Sequence, residues 1–294
     1  VRAMKLSSRR GMTLIELLIA MIVASIVGAA TLSLMMTQLR FAERTEADRS
    51  GLRVGRSALN ALITDMRMVD PMWGIEDATP TSVTLRVPYA LGLMCQSTET
   101  KQTILLLPVD SVAFYQPGYS GYATRGGTGV YTWNDGGTVA EVATSNTCTG
   151  SPSNAYGITA PASAPNQKTR QIEITTTEVV PVAVGTPVML FRRTRFFFAP
   201  SELAGLEGRT ALWREWLDVD GSAVELAAPF GDDAAFRFFE RDSTDATDDP
   251  PADLTTLIGL ELYLPGQSEH TPRMRNAPVQ SDLRTQVFFV NRNE

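Results

Sequence analysis

Arg9-Arg10-Gly11-Met12-Thr13-Leu14-Ile15-Glu16-Leu17-Leu18 opens a long apolar run. Two arginines precede a glycine, and a lone carboxylate, Glu16, lies five residues beyond that glycine. From Leu17 to Leu39 there follow 23 residues without a formal charge. As a helix rising about 1.5 Å per residue they span roughly 35 Å, enough to cross a hydrocarbon core of about 30 Å with some tilt. A secretory signal has an apolar region of about 7–15 residues followed by a small-residue cleavage site, so this run is too long for one. A plain membrane anchor fits the length but leaves Glu16 unexplained.

A carboxylate in a membrane helix costs about 2.5–3.5 kcal/mol at the centre and less near the ends. Glu16 therefore calls for a cationic partner. If the chain is cut after Gly11, the new α-amino group of Met12 stands one helical turn from Glu16, with both at the membrane boundary. Such an amine on a neighbouring subunit pairs with Glu16 and sets the stagger of helices in a bundle. Fixing register is among the better attested uses of a charge in an apolar setting.

Gly11-Met12-Thr13-Leu14-Ile15-Glu16-Leu17 resembles the type III signal of type IV pilins and type II secretion pseudopilins: a short basic leader, a glycine, then an apolar helix with glutamate as its fifth residue. The resemblance implies cleavage after Gly11 by a prepilin peptidase, methylation of the new amine at Met12, and an assembly role for Glu16. Met12 replaces the usual phenylalanine. Val1 is read as a non-standard start, with Met4 as the alternative that leaves a leader from Met4 to Gly11.

The leader holds Arg2, Lys5, Arg9 and Arg10, so 22 of 26 basic residues remain beyond it against 32 acidic ones, a net charge of about −10. Positive charge before the span and a large domain after it place the N-terminus in the cytoplasm and the domain outside a bacterial inner membrane. An acidic exported domain is a poor match for nucleic acid. Cys95 and Cys148 both fall in this exported part. In an oxidising compartment the pair implies one disulfide, closing a loop of about 50 residues and stabilising by about 3–4 kcal/mol; the alternative is two unpaired thiols.

After the span, Leu52, Leu59, Leu62, Ile63 and Met66 keep helical spacing. The helix is expected to continue as an amphipathic half until Asp70-Pro71 forbids another turn. Gly28, Gly51 and Gly55 interrupt it, each at about 1 kcal/mol relative to Ala, and are read as tolerated. Beyond Pro71 the pattern alternates. Strands are expected at Val83–Val87, Thr103–Leu107, Val130–Trp133, Gln171–Thr175, Val188–Ala199, Thr210–Leu217, Ala223–Leu226, Ala234–Glu240, Leu257–Leu264 and Thr285–Val290. The Gly-, Ser- and Asn-rich region 116–169 reads as long surface loops around a short hairpin, with Cys148 tying it back to Cys95. The organisation is thus a leader at 1–11, a transmembrane and assembly helix at 12–39, its amphipathic continuation at 40–70, and an exported β-rich domain at 71–294. The expected class is α+β and pilin-like: a long N-terminal helix, its first half membrane-spanning, packed on an antiparallel sheet. From Phe191 onward the strand order is also similar to the larger minor pilins of the PilW kind and the J-type minor pseudopilins.

Catalytic chemistry finds little to hold. With His270 the single histidine, no Ser-His-Asp or Cys-His set has independent support. Gly126-Gly127-Thr128-Gly129 lacks the lysine and spacing of a phosphate loop, so no nucleotide is expected. Two cysteines and one histidine are too few for structural zinc, and no cofactor is expected. The carboxylates Asp232, Asp233, Asp242, Asp245, Asp248 and Asp249 offer oxygen ligands for calcium but without EF-hand spacing. The string Arg192-Arg193-Thr194-Arg195-Phe196-Phe197-Phe198 is a foothold for single-stranded DNA, set against packed aromatics with solvated arginines on a strand.

By resemblance the chain is a structural subunit, not an enzyme: a minor type IV pilin in pilus initiation, partnered by prepilin peptidase and other pilins. A J-type minor pseudopilin of type II secretion and a tip-binding module for DNA or a surface are the alternatives.

Overall fold

The computed structural model describes residues 13–70, 74–107, 110, 118–127, 129–142, 170–177, 179–241, 243–271 and 277–289. One helix, α1 (Leu14–Met66), leads into strands β1 (Ile75–Thr79), β2 (Ser82–Ser97), β3 (Lys101–Leu106), β4 (Gly121–Arg125), β5 (Tyr131–Asp135) and β6 (Thr138–Val142). Then come β7 (Gln171–Thr175), β8 (Pro187–Pro200), β9 (Thr210–Trp216), β10 (Val224–Phe230), β11 (Ala235–Glu240), β12 (Leu257–Gln267) and β13 (Gln280–Phe288). The class is α+β with an antiparallel sheet, as the sequence implied.

The first half of α1 is not covered by any of the described residues. Every residue from 13 to 44 is exposed, and the apolar segment is long and apolar enough to cross a membrane. Three of its hydroxyls are satisfied inside the helix. Ser25, Thr31 and Thr37 donate to the carbonyls of Ile22, Val27 and Ser33 at 2.8, 2.8 and 2.9 Å. A helix that must leave water needs this, since hydrocarbon offers no partner to a stray donor.

The second half is amphipathic. Ala47, Gly51, Gly55, Ala58, Leu62 and Met66 are buried at three- and four-residue intervals, one face of a 3.6-residue helix. That face packs on β10, β12 and β13. The helix stops at Met66, before the expected Asp70, because Val69 turns inward and is buried in the same core. Packing ends it a turn ahead of the proline.

The described strands form one antiparallel sheet in the order β11-β12-β10-β9-β8-β2-β3-β7-β6, with β13 outside β12, β1 beside β2 and the β4–β5 hairpin beside β8. Each strand expected from alternation lies on an observed one. β1, β4 and β6 were not expected, and the last two emerge from the region read as loops. β4 (Gly-Tyr-Ala-Thr-Arg) is buried at its first four positions, so it carries no alternation to read. Gly136 and Gly137, at φ +78° and +89°, turn the chain from β5 into β6, a conformation that L side chains resist.

Two apolar clusters lie on the helix side of the sheet. The larger joins Ala58, Leu62 and Met66 to Val83, Leu85, Phe196, Leu212, Phe236, Phe238 and Leu262. The smaller gathers Met94, Ile104, Leu106, Tyr122, Ile172 and Leu190 beyond the end of the helix. Between them runs a polar seam. The Arg192 guanidinium lies 4.7 Å from the Tyr89 ring and 4.8 Å from the Trp216 ring, and Arg214 lies 5.3 Å from Trp216. Each contact contributes about 0.5–2 kcal/mol. Burial pushes the Tyr89 phenol up to about 12, against the pull of Arg192.

Asp65 of α1 faces this seam. Burial raises its pKa, and the attraction of Arg214 and Arg192 only partly reverses that. A carboxylate whose folded pKa lies above its unfolded value stabilises the fold below the unfolded value, and this contribution is lost as pH rises through the folded one. Asp65→Asn is therefore expected to raise the urea midpoint at neutral pH and to lose that advantage below about pH 3.8, the unfolded value. Equal midpoints for parent and variant at pH 7 would contradict this.

Candidate functional site

The start of α1 is built by its own sequence. Thr13 is the N-cap, in extended conformation, and its Oγ1 accepts from the Glu16 backbone N–H at 3.3 Å. In return the Glu16 carboxylate accepts from the Thr13 N–H at 3.0 Å and from the Thr13 hydroxyl at 3.2 Å. This reciprocal capping box satisfies donors that a helix leaves orphaned at its N-terminus, and the helix dipole favours the negative charge there. Gly11 and Met12 lie outside the described residues.

Thr13 was missed in the sequence. The signal for it is the spacing Thr-x-x-Glu directly before an apolar run, which is a capping box in its own right. Its consequence is chemical. Glu16 does not wait bare at the membrane boundary but is held by its neighbour three residues back.

Cys95 sits on β2, is buried, and carries no free thiol. Cys148 lies outside the described residues.

The arginine string is distributed by strand alternation. Arg192 pairs across to Val87 on the helix side, whereas Arg193 and Arg195 register with Arg86 and Thr84 on the opposite face. Arg193 donates to both oxygens of Glu76, at 2.7 and 2.5 Å, and this bidentate bond raises its pKa. Arg195 donates to Glu215 at 2.6 Å and stacks 4.6 Å from Phe197. With Arg192 buried in the seam, each of the three guanidiniums is already engaged. A polyanion would have to displace carboxylates to reach Arg193 and Arg195, which counts against the foothold for DNA. Phe196 is a core residue, while Phe197 stacks on Trp213 at 6.4 Å.

The acidic residues read as calcium ligands do not converge. Asp232 accepts from Thr210, Asp233 from Tyr263, and Asp248 pairs with Arg237 at 2.6 Å. Among the described residues no group of three or more His, Cys, Asp or Glu side chains is placed to hold a metal ion. Asp242 lies outside them. His270 is exposed between β12 and β13.

The chemistry of the chain thus concentrates at the entry to α1 and along the uncovered span. No curated protein and no solved structure matches the chain. Residues 6–32 match the prokaryotic N-terminal methylation motif, and together with the long apolar helix it enters, this supports a type IV pilin- or prepilin-like protein with a membrane anchor.

Proposed function

We propose that this chain is a minor type IV pilin that joins the complex initiating a pilus. One observation carries the reading: the methylation motif at residues 6–32 runs into a helix whose residues 13–44 are wholly exposed. An apolar rod of that size with no partner among the described residues is covered by lipid before assembly and by other helices after it.

In this reading the basic leader stays in the cytoplasm and prepilin peptidase cuts between Gly11 and Met12. The new Met12 amine is methylated, and the β-rich domain stands outside the inner membrane. On assembly Glu16 exchanges its Thr13 contacts for the amine of a neighbouring subunit. Register is then set at one end of the rod and the domain is carried at the other. The energy to extract subunits comes from a separate motor. In the same reading Cys95 and Cys148 are bridged; a thiol reagent that labels the unreduced chain would exclude the bridge.

The test is a strain lacking the gene, with sheared surface filaments assayed for the major pilin beside the parent. Loss of filaments, restored by the wild-type gene, is the expected result. Filaments at the parental level would remove the initiation role and favour the J-type pseudopilin reading.

A further inference from the structure

The face of α1 turned away from the sheet carries Arg49, Arg53 and Arg56, spaced by four and three residues, and Arg67 falls on the same line. All four side chains are exposed. Arg53 meets Glu46 at 3.5 Å, both of them largely in solvent. Among the described residues Arg49, Arg56 and Arg67 form no ion pair. The one carboxylate between Arg49 and Arg67 is Asp65, which faces the seam. The rest of the chain has the opposite sign: residues 68–294 hold 16 basic side chains against 27 acidic ones. Asp245, Asp249 and Asp253 stand exposed in the loop before β12. The protein is therefore polar in the electrical sense, with a cationic back on the helix and an anionic globular front.

Three anionic surfaces are available to such a back, and geometry removes two. The chain's own domain covers the other side of the helix. Lipid headgroups form a layer of about 5–8 Å beyond the hydrocarbon, while Arg49 lies roughly 15 Å past Leu39 along the axis and Arg67 roughly 40 Å. Headgroups reach Arg40 and Arg44 but not this line. The third surface is the front of a neighbour standing parallel in the same membrane.

We propose that the Arg49–Arg53–Arg56 face of α1 docks the acidic globular domain of a second copy of this chain. The two surfaces are different parts of one molecule, one on the helix and one on the globular domain, so the contact is heterologous. This rests on the filament-subunit reading above and gives it a second contact, distant from Glu16 and different in kind. The Glu16 contact is made in an apolar setting and responds little to salt. The arginine face is solvated and is screened as the Debye length falls from about 10 Å at 0.1 M salt to about 3 Å at 1 M.

Sedimentation of the full chain in a lipid-free zwitterionic detergent at those two salt concentrations separates them. The parent is expected to self-associate at 0.1 M and to weaken about tenfold at 1 M, the affinity that a few exposed ion pairs supply. A variant carrying Arg49→Glu, Arg53→Glu and Arg56→Glu should show that loss already at 0.1 M, and the corresponding triple lysine variant should associate like the parent. A parent that stays monomeric at 0.1 M, or a glutamate variant that associates as well as the parent, overturns the proposal. If Glu16→Ala alone abolishes association while the glutamate variant retains it, the docking face is lost and the proposed function stands.

Discussion

Gly51→Leu is expected to lift α1 from its sheet and to destabilise the folded domain by about 3 kcal/mol. A Cβ at position 51 would stand 2.7 Å from the Gly266 carbonyl oxygen, 3.2 Å from its carbon and 3.4 Å from the Ser281 Cβ. Gly266 is equally exacting, since a Cβ there would meet the Gly51 carbonyl carbon at 2.8 Å and its oxygen closer still. Here backbone lies on backbone, and no side chain can rotate aside. The helix is also tied at this level by the Ser281 hydroxyl, which donates to the Asp48 carbonyl at 3.2 Å. Overpacking a site that cannot yield costs about 1–3 kcal/mol and sometimes more. Gly55 is more forgiving, its nearest neighbour being the flexible end of Leu283 at 3.1 Å. Gly28 has nothing within 4 Å, so Gly28→Ala should be neutral or gain about 1 kcal/mol of helix propensity. Urea midpoints of these two variants and of Gly55→Leu in detergent test the ranking, and a Gly51→Leu chain that unfolds with the parent would sink it.

That pair of glycines marks where the sequence stops being legible. A glycine in a helix announces a propensity cost, but whether it is tolerated or required depends on what stands opposite. Gly266 is more than 200 residues away on β12. Elements whose signal is local were readable: the apolar span, the helical spacing from Leu52 to Met66, and strands such as Gln171–Thr175 whose pattern is two-faced. β4 was hidden because both of its faces are covered. The division of Arg192 from Arg193 and Arg195 followed from alternation alone. Their carboxylate partners, Glu76 and Glu215, belong to strands that only the folded topology brings alongside. At the entry to α1 the relation is local, because Thr13 and Glu16 act on one another within a single helical turn. The capping box does not show while Glu16 is read only as a charge near lipid; it shows once Glu16 is read as the fourth residue of Thr-x-x-Glu.

Glu16→Ala is expected to leave the chain processed and in the membrane yet at least about tenfold depleted from sheared filaments. Two losses combine. A carboxylate at the boundary that has hydrogen bonds from Thr13 but no counter-charge penalises the dispersed subunit, by less than the roughly 2.5–3.5 kcal/mol that applies at the helix centre, and assembly relieves it. Alanine removes that penalty, so the dispersed state becomes more comfortable while the neighbour's amine loses its partner. Alanine also breaks the capping box, at about 0.5–2 kcal/mol, but this second loss is shared with Thr13→Ala, which keeps the charge. Glu16→Gln makes the opposite separation, since glutamine can still accept from the Thr13 N–H but carries no charge. If charge drives assembly, Gln should fail like Ala, and Thr13→Ala should enter filaments at or near the parental level. If incorporation instead follows the cap, with Gln assembling and Thr13→Ala excluded, then Glu16 acts by shaping the first turn of α1, and the pairing with a neighbour's amine is withdrawn.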